Sequence, residues 1–304
     1  MISIRNSTDL REKVRNYLSE NKLSQAKFAQ LTGANEGSFS AWLNEKYAGN
    51  SEKIEDSIID FFEKQEDRKK QTTIDEITFT QTEITKKIIG ILNYCRVQKK
   101  IGCIYGDAGV GKTATATQWA EDKTDAIYIT ANVAIASAKP FFKTIARKLK
   151  INVKGQLDDI YFDIVEKLEI TDKTIVIDEA QHLHLKTLEL VRNLNDMSKT
   201  AIILIGNEKV HSKLTGGNQE ADFAQLFSRI GMKLNILTDH FKIGDIKAIF
   251  KGLLDDEATR FILDIAKSRY GLRGAINVYI NSINNGDINK EGLRAVATTM
   301  GIVA

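Results

Sequence analysis

One eight-residue segment constrains this chain more than any other. Residues 106–113 read Gly-Asp-Ala-Gly-Val-Gly-Lys-Thr and satisfy the pattern G-x-x-x-x-G-K-[ST] in full. In that pattern Gly106, Asp107, Ala108, Gly109, Val110 and Gly111 form a loop whose backbone N–H groups turn toward a β-phosphate. Lys112 neutralises the β/γ oxygens, and the Thr113 hydroxyl coordinates magnesium. A purely structural glycine-rich turn can carry the same letters. The flanks argue otherwise: residues 101–105 are an apolar, strand-like run and residues 114–121 follow with a helical pattern, the strand–loop–helix context that phosphate binding requires.

Phosphoryl transfer to water also needs a metal anchor and a group that activates the water. Residues 174–179, Thr-Ile-Val-Ile-Asp-Glu, supply both at the end of an apolar strand: Asp178 for the metal and Glu179 for the water. Alone, such a run is equally a strand entering a solvated loop. Asn207, after the apolar run 202–205 and Gly206, can orient the water or touch the γ-phosphate, or serve as a turn or helix-cap residue. Arg229 ends a helical pattern just before the last strand-like run. It is either a solvated arginine or one that acts on a neighbouring subunit's nucleotide, with Arg192 the next residue to test in that role. Arg273, in Gly-Leu-Arg-Gly at the start of a lid helix, can reach the phosphates from the lid.

The pattern along the chain gives the fold class. Short runs rich in Ile and Val at 101–105, 126–129, 174–177, 201–205 and 232–237 alternate with helical patterns, which predicts an α/β domain with a parallel sheet covered by helices on both faces. After residue 238 the strands stop. Helical patterns at 243–254, 257–268, 275–284 and 290–300 predict a helical lid. Residues 8–64 read instead as four short helices, with Ser24 as an N-cap and Gly33 as a helix end. The expected organisation is a small all-α head at 1–66, a polar linker at 67–80, the α/β ATPase part at 81–238 and the lid at 239–304. Placing Gln25 first in a helix-turn-helix puts Ala29, Gly33, Phe39 and Trp42 at its small, turn and apolar positions. Asn35, Glu36, Ser38, Ser40 and Asn44 would then face outward.

Charge qualifies the second reading of that head. Residues 1–66 hold 9 Lys/Arg against 11 Asp/Glu, whereas residues 67–100 hold 8 against 4. An acidic head whose outward face has no arginine fits a protein-docking module as well as a DNA reader. The two cysteines, Cys95 and Cys103, form no framework or metal spacing, and no run approaches ~18 apolar residues. A reduced, cytoplasmic chain is expected, with no membrane partner. His182 and His184, two residues apart past a strand, do not share a helix face and are not expected to bind metal.

The order of phosphate loop, Asp-Glu strand, polar strand tip, arginine helix end and helical lid with Gly-x-Arg resembles the AAA+ ATPases. The resemblance covers roughly residues 80–300. Within that group, the runs 175–183 (Ile-Val-Ile-Asp-Glu-Ala-Gln-His-Leu), 206–207, 215–218 (Thr-Gly-Gly-Asn) and 223–230 (Phe-Ala-Gln-Leu-Phe-Ser-Arg-Ile) resemble the transposition ATPases of Mu-like phages. The resemblance implies the roles given above to Lys112, Thr113, Asp178, Glu179, Asn207, Arg229 and Arg273, a sheet in the order 5-1-4-3-2, and ATP with Mg2+ as cofactors. It also implies a helical oligomer or filament on double-stranded target DNA, formed largely independently of sequence, that delivers the DNA to a transposase and stimulates strand transfer. An oligomer that encloses DNA needs amides and lysines on inward loops. Asn132, Lys139 and Lys154 are the candidates, each equally readable as a solvated surface residue. Two other readings stay open: an AAA+ helicase loader or replication initiator, and an ATP-regulated helix-turn-helix transcription factor.

Overall fold

The computed structural model describes residues 7–70, 79–215 and 230–302. The chain divides into two units, Met1–Thr72 and Thr73–Ala304.

The first unit is all helical: α1 Ser7–Glu20, α2 Gln25–Thr32, α3 Glu36–Leu43 and α4 Glu52–Lys70. Capping residues set the short helices. The Ser24 side chain accepts from the Lys27 N–H, and Asn35 accepts from the Ser38 N–H. Gly33, at φ +72°, closes α2 by donating back to the carbonyls of Ala29 and Gln30, a left-handed turn that glycine enters without penalty. Inside, Val14, Phe28, Phe39, Trp42 and Ile58 are fully buried. The Trp42 indole N–H donates to Glu55 Oε1 at 2.9 Å, and the Ser7 hydroxyl donates to the same oxygen at 2.7 Å. Helix α4 runs to Lys70, past the expected head boundary at residue 66. The Asp-Arg-Lys-Lys stretch lacks apolar residues, but Arg and Lys are good helix formers and no Gly or Pro stops the helix.

The second unit opens with α5 Glu83–Gln98 and then alternates: β1 Ile101–Gly106, α6 Lys112–Glu121, β2 Ala126–Thr130, α7 Ala138–Lys148, α8 Leu157–Glu169, β3 Thr174–Asp178, α9 Leu185–Ser198, β4 Ala201–Ile205, α10 Glu208–Thr215 and β5 Ile230–Ile236. The helices α11 Ile243–Ile249, α12 Asp256–Lys267, α13 Gly271–Asn284 and α14 Lys290–Thr299 follow. The five strands form one sheet in the order β2-β3-β4-β1-β5, and every pairing is parallel. This is the expected 5-1-4-3-2 order, counted from the other edge.

Strand periodicity divides the core in two. Ile104, Val176, Ile203 and Ile205 point to the face shared by α5, α6 and the C-terminal helices, with Ile88, Leu92, Phe241, Ile262 and Val278. Ile175, Ile177, Ile202 and Leu204 point to the opposite face, with Phe141, Phe142, Ile164 and Val191 from α7, α8 and α9. Two of the lid helices differ from expectation. Helix α11 ends at Ile249 because Lys251 and Gly252 turn the chain at positive φ. Helix α13 starts at Gly271 rather than residue 275, with Arg273 in its first turn as its expected place at a helix start requires.

Candidate active site

The central strands β3, β4 and β1 end side by side, and the phosphate loop leaves β1 there. Gly106, at φ +128°, lies so close to β5 that a Cβ would stand 1.9 Å from the Ile236 carbonyl oxygen. Only glycine fits that crossing. The Asp107 carboxylate then accepts from the Thr238 N–H at 2.8 Å and the Thr238 hydroxyl at 3.2 Å, which pins the loop to the end of β5. Gly109 and Gly111 also adopt positive φ, and Gly111 precedes the first residue of α6. The loop's N–H groups therefore stand at a helix N-terminus, where an anion is favoured.

The chemical groups gather around this loop. Lys112 Nζ donates to the carbonyls of Gly106 at 3.0 Å and Asp107 at 2.6 Å. Burial pushes its ammonium below the ordinary lysine value, against the pull of Asp178, Glu179 and Asp107. The Thr113 hydroxyl donates to Asp178 Oδ2 at 2.7 Å. Asp178 is 1% exposed. Its other oxygen accepts from the Glu179 N–H at 2.8 Å. A cleft of about 490 Å³ is lined by Gly109, Lys112, Thr113, Glu179, Asn207 and Arg273 among others. Residues far apart in sequence thus meet in one cavity, large enough for a small ligand.

Two residues at this site were not singled out in the sequence. The Tyr128 hydroxyl, from β2, donates to Asp178 Oδ2 at 2.7 Å. Burial, reinforced by the Asp178 carboxylate, pushes the Tyr128 phenol well above its ordinary value, so it remains a donor. Gln181 donates through its amide nitrogen to the Glu179 carboxylate and accepts at its oxygen from the Asn207 N–H at 3.4 Å. Sequence offered only a weak signal for each: a polar-tipped aromatic on an otherwise apolar strand, and an amide two residues after the Asp-Glu pair.

A family model described as AAA domain matches residues 95–214. The chain is 28% identical over 275 residues to the Mu-like prophage FluMu DNA transposition protein B of Haemophilus influenzae, which spans 88% of this chain and 94% of that protein. It is 29% identical over 252 residues to the ATP-dependent target DNA activator B of Escherichia phage Mu, across 80% of this chain and 77% of that one. The chain is an ATPase with an AAA domain at residues 95–214. The solved ORC2 protein of Aeropyrum pernix in its ADP form shares this ATPase's fold, with a TM-score of 0.51 at 15% identity over 71% of this chain and 66% of that one.

The remaining expected residues of this ATPase fall in different places. Asn207 lies at the tip of β4, where its side chain also accepts from the Lys209 N–H at 3.0 Å and so caps α10. Arg192 is engaged on α9 with Asp196 at 3.2 Å and Asn193 at 2.6 Å. Arg229, and residues 216–229 of the segment that resembles the transposition ATPases, lie outside the described residues. Asn132 caps the short turn after β2 by accepting from the Ala134 N–H. Lys139 donates to Gln156 at 2.8 Å, two residues from the exposed Lys154. In the first unit, Asn35 caps α3, Ser40 donates to Gln25, and Asn44 donates to the Ser40 carbonyl. Three of the five side chains expected to face outward there already have internal partners. No helix among the described residues is long and apolar enough to cross a membrane.

Proposed function

We propose that this AAA+ ATPase assembles on double-stranded target DNA when it binds ATP, largely without regard to sequence, and that it delivers the DNA to a transposase and stimulates strand transfer. The observation that carries this reading is the likeness to the Mu-type B proteins over 88% of the chain. A match of that extent reaches beyond the ATPase motifs into both units, whereas those motifs alone are common to many unrelated ATPases. In this reading Lys112 and the loop N–H groups seat the β/γ-phosphates, and Arg273 approaches them from α13. Glu179 takes the proton of the attacking water as the γ-phosphoryl group is transferred and ADP leaves; Asn207 orients that water.

The Thr113 hydroxyl and the Asp178 carboxylate are hard oxygen donors 2.7 Å apart, a set that suits Mg2+. When bound there, Mg2+ would neutralise charge building on the phosphate oxygens. Arg229 is proposed to complete the site of an adjacent protomer, and Asn132, Lys139 and Lys154 to meet the DNA phosphates. The head, Met1–Thr72, acts in this reading as a helix-turn-helix module. The protein works in the cytoplasm, that of the host cell where a phage encodes it.

The test is DNA binding at several salt concentrations with wild-type, Glu179→Gln and Lys112→Ala proteins. Wild-type binding should require ATP, weaken as salt rises and show no preferred sequence. Glu179→Gln should bind ATP, hydrolyse it far more slowly and remain on DNA longer, while Lys112→Ala should not assemble. Protection of a single operator, with or without ATP, would refute the proposal in favour of a transcriptional regulator.

A further inference from the structure

We propose that Gln181 is the positioning residue of the hydrolytic step. Its amide ties Glu179, at the tip of β3, to Asn207, at the tip of β4, and so fixes the direction in which the Glu179 carboxylate accepts a proton. The inference rests on the reading of Glu179 as the group that takes the water's proton.

The chemistry of the bridge selects an amide. Glu179 offers only acceptor oxygens, and the Asn207 backbone N–H beside it is a donor. Gln181 meets both at once, nitrogen toward the carboxylate and oxygen toward the Asn207 N–H. A glutamate would present a second carboxylate to the first. An alanine would leave Glu179 without its amide donor and the Asn207 N–H without its acceptor. His182 does not replace it, because its Nε2 stands 3.8 Å from Glu179 Oε2, beyond hydrogen-bond distance.

Three further features hold the bridge in place. Gly206 precedes Asn207, and a Cβ there would stand 2.2 Å from Gln181 Oε1 and 2.4 Å from Val210 Cγ2. Gly206 is not among the positive-φ positions, so space is what its lack of a side chain provides. Lys213, from α10, donates its Nζ to the carbonyls of Gln181 and Leu183, at 2.5 and 2.8 Å, and fixes the turn that carries Gln181. Glu179 itself takes the left-handed conformation at φ +54°. That conformation is uncommon for a residue with a side chain and persists only where the surroundings determine it. The two strand tips are thus tied to each other, which is what a carboxylate aimed at a water requires.

The experiment is steady-state ATP hydrolysis over a range of ATP concentrations, paired with titration of a fluorescent ATP analogue. The proteins are wild type, Gln181→Ala, Gln181→Glu, Glu179→Gln and the double variant Glu179→Gln/Gln181→Ala. Both single changes at Gln181 should lower kcat on the order of 10- to 100-fold. KM and analogue affinity should stay within about twofold. In the double variant, Gln181→Ala should cost nothing beyond Glu179→Gln, because it acts only through that carboxylate. An unchanged kcat in both Gln181 variants, or an equal further loss in the double variant, would overturn the inference and leave the reading of Glu179 standing. Loss of analogue binding in Gln181→Ala and in the near-isosteric Gln181→Glu alike would make the residue structural and also overturn it. Wild-type hydrolysis by Glu179→Gln would remove the reading of Glu179, and this inference with it.

Discussion

Replacing Tyr128 with Phe deletes one hydroxyl and keeps the ring. That hydroxyl donates to Asp178 Oδ2 at 2.7 Å, onto the same oxygen that takes the Thr113 hydroxyl at 2.7 Å. Asp178 is 1% exposed, so water does not readily replace the lost donor. A hydrogen bond to a charged group contributes about 1.5–3 kcal/mol. The lower figure applies here, because Thr113 and the Glu179 N–H still serve the carboxylate. A loss of roughly 1.5 kcal/mol in a unit of this size lowers Tm by about 3–6 °C. The effect on function should be more specific. If the Thr113 hydroxyl turns to the metal when ATP binds, Tyr128 becomes the remaining side-chain donor that orients Asp178. Loss of such an outer partner typically weakens metal binding 10-fold or more, and about 1.5 kcal/mol corresponds to the low end of that range. The Mg2+ concentration for half-maximal hydrolysis should therefore rise about tenfold in Tyr128→Phe. The assay is a Mg2+ titration of ATP hydrolysis at fixed ATP, with a thermal melt of each protein. An unchanged Mg2+ midpoint together with an unchanged Tm would refute the argument, since the hydroxyl would then neither orient nor stabilise Asp178.

Two further predictions address the other parts of the chain. A mixture of Arg229→Ala and Lys112→Ala proteins, each inactive alone, should regain hydrolysis, because some mixed interfaces pair an intact nucleotide site with an intact arginine; co-assembly without recovered activity would count against Arg229. In the head, burial pushes the Glu55 carboxyl up, but hydrogen bonds from Trp42, Ser7 and Ser51 and the Arg11 charge outweigh it and leave it below the ordinary glutamate value. The stabilisation this provides is complete above the unfolded-state value and is lost as pH falls through the lowered folded-state value. Urea unfolding followed by Trp42 fluorescence in a Trp119→Phe background should show the acid sensitivity, and Glu55→Gln should reduce it.

The phosphate loop, the Asp-Glu strand and the five strands were legible in the sequence because each depends on local order. Glycines at fixed offsets, apolar runs of Ile and Val, and carboxylates at a strand end all leave their mark on consecutive residues. Sheet order came through the resemblance, since no periodicity in β2 or β3 says which strand lies beside which. What stayed hidden depends on pairing across the sheet. Tyr128 is assigned to Asp178 only because Thr130 on β2 registers with Asp178 on β3, which brings the two side chains together. Gln181 gains meaning only when the tips of β3 and β4 stand next to each other. The start of α13 at Gly271 was missed for a related reason: a glycine at φ +62° reads as a break, and here it begins the helix.

That glycine has a mechanical consequence. A Cβ on Gly271 would stand 2.7 Å from the Ala108 carbonyl oxygen, and one on Gly109 would stand 3.2 Å from the Tyr270 carbonyl oxygen. The first turn of α13 and the phosphate loop are therefore packed backbone against backbone at these two glycines. A shift of that helix start would press on the nucleotide's seat directly. If a partner grips the C-terminal helices and shifts them enough to change how tightly the nucleotide is held, reciprocity requires that the nucleotide change how firmly that partner is gripped.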